Sequence, residues 1–338
     1  MGGADPAVLR RVRHARHGRR IHRHLVRGSA VQPHQLLSAP GHHAALDDGE
    51  EHDAVCRRGD PPAAQQGAGY GPGAVAGGRV RGHAMTSFKR EEITIAGVKT
   101  VYLTAGSGEP LLFLHGGGTF HGFEFAKPWT RNFRVLLPYH PGFGESGDDP
   151  DLSSMQDYVM HYVELLDRLS LDRVNLVGFS LGGWLAASFA TQHTRRINKL
   201  VLVAPAGLRI KEAPTVDLFR IPGEQVPEML VHNFDVIKPH LPTGFDVDFT
   251  VDRYRESTTV ARVAWERLHD PKLPRWLHRV TVPTLLVYGE QDRIIPAAQA
   301  PHWARLIPGA TVKTFPQAGH LVLDEKPEAV EAVQRFLQ

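Results

Sequence analysis

A serine lies in the pattern G-x-S-x-G at residues 178–182, which read Gly-Phe-Ser-Leu-Gly. The pattern follows an apolar run and precedes a run with helical spacing, so Ser180 is predicted on a sharp strand-to-helix turn that exposes its hydroxyl group. The glycines on either side let the strand and the helix pack without side-chain clashes. We predict that Ser180 is a nucleophile and that the backbone N–H of Leu181, at the helix N-terminus, stabilises an oxyanion.

A serine hydroxyl is a weak nucleophile and needs a base that a third group orients. His320 is the candidate base, because it lies between the last predicted strand and the last predicted helix. Asp292 is the candidate orienting acid, in the loop after the predicted strand 284–288; Glu290 on the same loop and the more distant Asp217 are alternatives. The serine, the aspartate and the histidine all fall at carboxyl ends of predicted strands, in that chain order, which places them on one edge of a sheet.

The second donor to the oxyanion is expected in the glycine run 116–118, which follows the apolar strand 111–114. Glycine lets the backbone approach a substrate carbonyl closely. We favour Gly117 over Gly116. A phosphate-binding loop is a poor alternative, because the run has neither a Walker lysine nor the spacing G-x-G-x-x-G.

Short apolar strands alternate with helical patterns along most of the chain after residue 84. A first pair of strands, 92–95 and 99–104, is predicted to be antiparallel around the turn at 96–97. The later strands are mostly apolar and show little alternation, which is typical of parallel strands buried on both faces. These later runs are 111–114, 133–137, 174–178, 199–204, 284–288 and 310–315, and the predicted helices are 155–169, 181–193 and 327–337. This alternation predicts an α/β fold with a mostly parallel sheet and helices on both faces.

Residues 206–280 interrupt the alternation. They contain several prolines and a predicted helix at 249–268. An insertion at this point should lie over the carboxyl ends of the strands, where open α/β sheets bind ligands. Its large apolar side chains suggest an apolar acyl or alcohol pocket, although each one singly could also form the core of the insertion; they are Phe219, Met229, Phe234, Phe245, Phe249, Trp265 and Trp276.

Residues 91–338 together resemble the α/β-hydrolase family. The motifs that carry the resemblance are His-Gly-Gly-Gly at 115–118, Pro-Gly-Phe-Gly-Glu-Ser at 141–146, Gly-Phe-Ser-Leu-Gly-Gly at 178–183, the Asp292 loop and Ala-Gly-His at 318–320. The resemblance implies an eight-stranded sheet, a lid formed by residues 206–280, no cofactor or metal, and hydrolysis through an acyl-enzyme. It argues against haloalkane dehalogenase and ordinary epoxide hydrolase activity, since those relatives carry aspartate at the position of Ser180.

Within the family, the glycine loop and the 141–146 motif look like the hydrolases that cleave carbon–carbon bonds in ring-fission products of aromatic catabolism. Those enzymes usually carry asparagine before the serine and tryptophan after the histidine, where this chain has Phe179 and Leu321. We therefore expect a carboxylesterase of small or medium apolar substrates, with the carbon–carbon hydrolase as the alternative.

Residues 1–84 differ sharply in composition from the remaining 254 residues. They hold 12 Arg, no Lys and 7 acidic residues, whereas the rest holds 27 basic and 29 acidic residues. All 15 Phe and all 5 Trp follow position 84. Such a segment cannot bury enough apolar surface to offset its conformational entropy, so we predict a disordered extension before a single domain at 85–338.

Three interpretations of this extension remain open. It could be a basic arm that contacts phosphates. It could be a targeting segment, although it lacks the apolar core of a secretory signal. It could also be the product of translating GC-rich DNA outside its proper frame, ahead of a true start at Met85. We favour this third interpretation.

Composition also limits the class of protein. The single cysteine, Cys56, excludes an intrachain disulfide and cysteine-based metal sites. The sequence has no apolar run of about 18 residues. We expect a cytoplasmic enzyme with a small-molecule substrate, no nucleic-acid or membrane partner and no cofactor or metal; a homo-oligomer is compatible with the sequence.

Overall fold

The computed structural model describes residues 88–338, and the extension predicted at 1–84 lies outside them. Eight strands form one sheet. They are β1 (Lys89–Ile95), β2 (Val98–Ala105), β3 (Glu109–Leu114), β4 (Phe133–Pro138), β5 (Val174–Phe179), β6 (Ile197–Val203), β7 (Thr284–Gly289) and β8 (Thr311–Phe315). Their spatial order is β1-β2-β4-β3-β5-β6-β7-β8. Every strand predicted from the apolar runs is confirmed within a few residues.

The sheet is antiparallel at one edge and parallel elsewhere. Strand β1 pairs with β2, and β2 with β4, in antiparallel register, whereas all the later neighbours pair in parallel. The turn between β1 and β2 places both Ala96 and Gly97 at positive φ, the geometry of a tight hairpin. Every residue of β5 and β7 is buried, which explains why their sequences are mostly apolar without alternation.

The described residues also form eight α-helices and several short 3-10 helices. The α-helices are α1 (Met155–Arg168), α2 (Leu181–His193), α3 (Val226–Leu230), α4 (Val247–Ala264), α5 (Leu273–Trp276), α6 (Ala300–Leu306), α7 (Val322–Glu325) and α8 (Pro327–Leu337). The 3-10 helices are Glu124–Arg131, Thr194–Arg196, Leu218–Arg220, Phe234–Val236, Lys238–His240, Leu277–Arg279 and Ala297–Gln299. No helix within residues 88–338 is both long and apolar enough to cross a membrane.

Helix α1 begins where its sequence predicts. The Ser154 side chain accepts a hydrogen bond from the Asp157 N–H, and the Asp157 carboxylate accepts one from the Ser154 N–H at 2.7 Å. This reciprocal capping satisfies two backbone donors at the helix start. The capping residue is therefore Ser154.

The insertion between β6 and β7 contains α3, α4 and α5. The helix predicted at 249–268 corresponds to α4, which begins two residues earlier because Asp246 caps it and accepts a hydrogen bond from the Phe249 N–H at 3.0 Å. It also ends earlier, at Ala264. The short helices of the insertion lack a long enough apolar repeat to be recognised in the sequence.

Candidate active site

Ser180 occupies a strained turn between β5 and α2. Its φ of 53° and ψ of −114° are rare for any residue other than glycine. The neighbouring glycines are required by space: a Cβ atom on Gly178 would collide with the Gly182 carbonyl, and one on Gly182 would collide with the Leu114 carbonyl. The local structure is thus the strand–turn–helix that the G-x-S-x-G pattern predicts.

The structure brings the three predicted polar residues together. The Oγ of Ser180 lies 2.9 Å from His320 Nε2, and His320 Nδ1 lies 2.7 Å from Asp292 Oδ2. His320 and Asp292 are both buried. Because the carboxylate can only accept, Nδ1 carries the proton and Nε2 is left to accept the proton of the serine hydroxyl.

Backbone donors hold the Asp292 carboxylate in place. Its other oxygen, Oδ1, accepts hydrogen bonds from the N–H groups of Ile294 and Ile295, each at 2.8 Å. The two alternative acids lie elsewhere: Glu290 accepts a hydrogen bond from the Thr314 hydroxyl, and Asp217 caps a short helix of the insertion. The geometry therefore singles out Asp292 as the partner of the histidine.

The N–H groups of Gly117 and Leu181 have no hydrogen-bond acceptor within residues 88–338. Both residues line the cavity that contains Ser180. Leu181 is the first residue of α2, where the helix leaves its N–H groups unsatisfied. The two predicted oxyanion donors are thus available beside the serine.

A chain of buried polar groups fixes the loop that carries Gly117. His115 Nδ1–H donates to the Gly116 carbonyl at 2.7 Å, while its Nε2 accepts from the His140 N–H at 2.9 Å. His140 Nε2–H donates to the His115 carbonyl at 3.0 Å, and the Tyr162 hydroxyl donates to His140 Nδ1 at 2.5 Å. Sequence reasoning missed this network, although a histidine directly before a glycine run was a signal for it.

His115 and His140, the two histidines of this hydrogen-bond network, are neutral in the folded protein. Burial is the main cause that lowers the pKa of His140 to about 3 and the pKa of His115 well below its usual range. Burial likewise raises the pKa of Tyr162 well above its usual range. The loop is thus held by uncharged hydrogen bonds.

A cavity of about 530 Å³ opens in front of Ser180, and its wall is mostly apolar. The insertion contributes more than half of the residues that line it. Of the large apolar side chains singled out in the sequence, Phe219, Phe249 and Trp265 line the cavity, whereas Phe245 is 88% exposed. The insertion thus covers the serine and shapes the space beside it.

Two charged residues of α4 interrupt this apolar wall. The guanidinium of Arg253 pairs with the Glu256 carboxylate at 2.6 Å and lies over the ring of Phe120, 5.3 Å from its centroid. Glu256 is buried and also accepts hydrogen bonds from the N–H and the hydroxyl of Thr119, which follows the glycine loop. The Nε of Arg253 is buried without a hydrogen-bond partner in the described part of the chain.

Sequence reasoning did not identify Arg253 or Glu256. Charged residues on a helix are usually solvated, so their positions in the sequence gave no sign that they face a cavity. The pair links the insertion to the loop beside the serine.

Comparison with known proteins shows the family. The family described as having the alpha/beta hydrolase fold matches residues 109–327, about two thirds of the chain. The chain therefore belongs to the α/β-hydrolase family, as its motifs predict.

The chain is similar to several individual hydrolases. The chain is 29% identical to 2-hydroxy-6-oxo-6-(2'-aminophenyl)hexa-2,4-dienoic acid hydrolase of Metapseudomonas resinovorans, over 70% of this chain and 86% of the relative. It is 26% identical to 2-hydroxy-6-oxo-2,4-heptadienoate hydrolase of Pseudomonas putida, over 72% and 95%. It is 27% identical to lipase 1 of Psychrobacter immobilis, over 73% and 84%. A solved serine hydrolase of carbazole degradation is 25% identical, with a TM-score of 0.61 over 74% of this chain and 99% of that one.

Proposed function

We propose that this protein hydrolyses a carbon–carbon bond in an anionic dienoate that carries a ketone, using Ser180 as nucleophile, His320 as general base and acid, and Asp292 as the group that orients the histidine. This reverses the order of the two activities expected from the sequence. The similarity to dienoate hydrolases supports it, and the observation that carries it is the position of Arg253.

In the first half of the reaction, Ser180 Oγ bonds to the ketone carbon and its proton passes to His320 Nε2. The negative charge that develops on the ketone oxygen is stabilised by the N–H groups of Gly117 and Leu181. When the intermediate collapses, the carbon–carbon bond breaks and the leaving carbon receives the proton held by His320.

In the second half, water hydrolyses the acyl-enzyme on Ser180. His320 takes a proton from the water as it attacks, and returns it to Ser180 Oγ when the carboxylic acid leaves. These steps use only protein side chains and water. The absence of a cofactor, a cytoplasmic location and a homo-oligomer stay predictions.

Arg253 gives the cavity a site for a carboxylate. It is the single Lys or Arg among the described residues that line the cavity. The guanidinium has several N–H donors, of which Nη1 pairs with Glu256, and the side chain is 27% exposed, so donors remain for a carboxylate in the cavity. A dienoate has a carboxylate at one end and a ketone at the other, so it could meet Arg253 and Ser180 at the same time. A neutral ester has no carboxylate to bind there.

Hydrolysis of a neutral carboxylic ester is the second candidate. Similarity to a lipase favours it, and so does Phe179, whose ring lies 4.9 Å from that of His320 where carbon–carbon hydrolases usually carry an asparagine. Leu321, which replaces the usual tryptophan, also lines the cavity. These two apolar side chains suit an uncharged substrate.

The two candidates are distinguished by comparing 2-hydroxy-6-oxo-2,4-heptadienoate with p-nitrophenyl butyrate. We expect a kcat/KM for the dienoate well above that for the ester. Arg253→Met should lower kcat/KM for the dienoate about 10- to 100-fold, the usual effect of losing a hydrogen bond to a charged group, and should lower it much less for the ester.

Arg275→Met is the matched control, because Arg275 lies on the same insertion but is exposed and does not line the cavity. It should leave both rates unchanged. Turnover of the ester alone by the unaltered protein would support the second candidate. Equal losses on both substrates in Arg253→Met would show that the arginine only supports the structure.

A further inference from the structure

A second imidazole–carboxylate pair contributes to the same cavity. His121 Nδ1 lies 3.0 Å from Asp324 Oδ1, and the two side chains are only 8% and 15% exposed. His121 follows the glycine loop, and Asp324 lies on α7, four residues after His320. The ring of His121 forms part of the cavity wall, as do those of His320 and Phe120.

The pair leaves one nitrogen of His121 available. Asp324 accepts the Nδ1–H, so Nε2 carries a lone pair. No hydrogen bond from Nε2 to another group is found among residues 88–338. The imidazole of His121 lies 5.5 Å from the ring of Phe120, and the guanidinium of Arg253 lies 5.3 Å from that same ring. A base and a cation therefore neighbour one aromatic side chain in the cavity.

Carbon–carbon cleavage has a requirement that ester hydrolysis lacks. The leaving atom is a carbon, and it departs easily only if its electron pair can be delocalised. In a 2-hydroxy-6-oxo-2,4-dienoate, the hydroxyl group on C2 is conjugated through the diene to the ketone on C6. Removing the hydroxyl proton at C2 lets this conjugated system take up a proton at C5 and become a ketone at C2, which can accept the electron pair of the leaving carbon. The removal needs a base, and His320 is already hydrogen-bonded to Ser180.

We propose that His121 is a second catalytic base, which accepts the proton of the substrate's 2-hydroxyl group. This inference rests on the proposed function, because it needs a hydroxyl group next to the carboxylate that Arg253 binds. The O–H bond breaks, its proton bonds to Nε2, and its electron pair forms a dienolate. Asp324 stabilises the resulting imidazolium, as a carboxylate partner does for other catalytic histidines.

The proton and electron counts then close over the reaction. The electron pair of the dienolate bonds C5 to the proton that Ser180 gave to His320, which leaves a ketone at C2 and a double bond between C3 and C4. When the C5–C6 bond breaks, its electron pair moves through that double bond to the C2 oxygen. That oxygen takes back the proton held by His121, and the product leaves with its hydroxyl group restored. A simpler role for the pair is to tie the loop after Gly118 to α7, and this role predicts equal effects on every substrate.

The first test compares two substrates in the full chain. His121→Leu should lower kcat/KM for 2-hydroxy-6-oxo-2,4-heptadienoate about 100-fold or more, the usual contribution of a general base, and by a far smaller factor for p-nitrophenyl butyrate. Asp324→Asn should show the same preference with a smaller loss. The exposed His278, which does not line the cavity, gives the control variant His278→Leu, which should leave both rates unchanged.

The second test observes the proton transfer itself. In Ser180→Ala, which cannot form the acyl-enzyme, mixing with the dienoate should produce the long-wavelength absorption band of a dienolate. In Ser180→Ala/His121→Leu the bound substrate should keep the shorter-wavelength band of the neutral enol.

The outcomes separate the two proposals. Equal losses on both substrates, or a dienolate band that persists without His121, would overturn the second base. If the dienolate band of Ser180→Ala requires His121 but the unaltered protein does not cleave the dienoate, the proposed function is overturned. The proton transfer to His121 is then still supported. A protein that shows neither the band nor cleavage would overturn both.

Discussion

Lowering the pH from 7 to 5 should strongly destabilise the folded protein, because the fold buries histidines in their neutral form. Burial lowers the pKa of His140 to about 3 and the pKa of His161 to about 4. In the unfolded chain both side chains titrate near their ordinary pKa of about 6.5. Between pH 6.5 and pH 4 the unfolded chain therefore binds more protons than the folded protein, and stability falls as the pH is lowered.

The size of this effect follows from the unfolded chain alone, since both histidines stay largely neutral in the folded protein at pH 5. Each one then contributes about 2 kcal/mol less to the free energy of unfolding at pH 5 than at pH 7. The pair contributes about 4 kcal/mol, a large part of the 5–15 kcal/mol that usually stabilises a domain. This stability is fully present above pH 6.5 and is lost as the pH falls toward the folded pKa values.

Urea unfolding at pH 7 and pH 5 measures the difference directly. His161 lies on α1, and its ring makes a single hydrogen bond, with the Thr100 hydroxyl at 3.1 Å. It can therefore be replaced without altering the cavity. His161→Gln should reduce the pH dependence by about 2 kcal/mol. Equal stability of the original chain at the two pH values, or an unchanged pH dependence in His161→Gln, would refute the reasoning.

Three further predictions concern the site and the extension. Asp292→Asn should lower kcat about 10⁴-fold in steady-state assays while leaving the melting temperature within a few degrees, because the amide favours the wrong tautomer of His320. Gly182→Ala should unfold at a markedly lower temperature, since its Cβ would collide with the backbone of Leu114; a matching Gly223→Ala, where a Cβ meets nothing within 4 Å, should melt like the original chain. A chain that starts at Met85 should match the full chain in melting temperature and turnover, since every candidate site residue follows that position; aggregation of the shorter chain would show that the extension supports the fold.

The parts of this protein that could be predicted from sequence are those with a local signature. Strands such as β5 and β7 are continuous apolar runs because both of their faces are buried. Ser180 could be recognised because the turn around it has glycines at positions where a Cβ atom would collide with nearby backbone. Asp292 and His320 could be placed because parallel strands bring their carboxyl ends to one edge of the sheet.

The missed features depend on contacts between distant segments. Glu256 on α4 meets Thr119 across 137 residues, and His121 meets Asp324 across 203. No periodic pattern marks such pairs, since their meeting depends on how the insertion and α7 lie against the sheet. The choice between an ester and a dienoate also depends on such a contact, because Arg253 looks like a solvated helix residue until its position in the cavity is known.

The most direct test of the account is the identity of the residue that forms the acyl-enzyme. Incubation with a fluorophosphonate, followed by proteolysis and mass spectrometry, should find one adduct, on the peptide that contains Ser180. Prior addition of the proposed substrate, 2-hydroxy-6-oxo-2,4-heptadienoate, should slow the labelling. Ser180→Ala should show neither adduct nor turnover above the residual rate of a protein that lacks its nucleophile. Labelling of another residue together with undiminished turnover in Ser180→Ala would contradict the central claim.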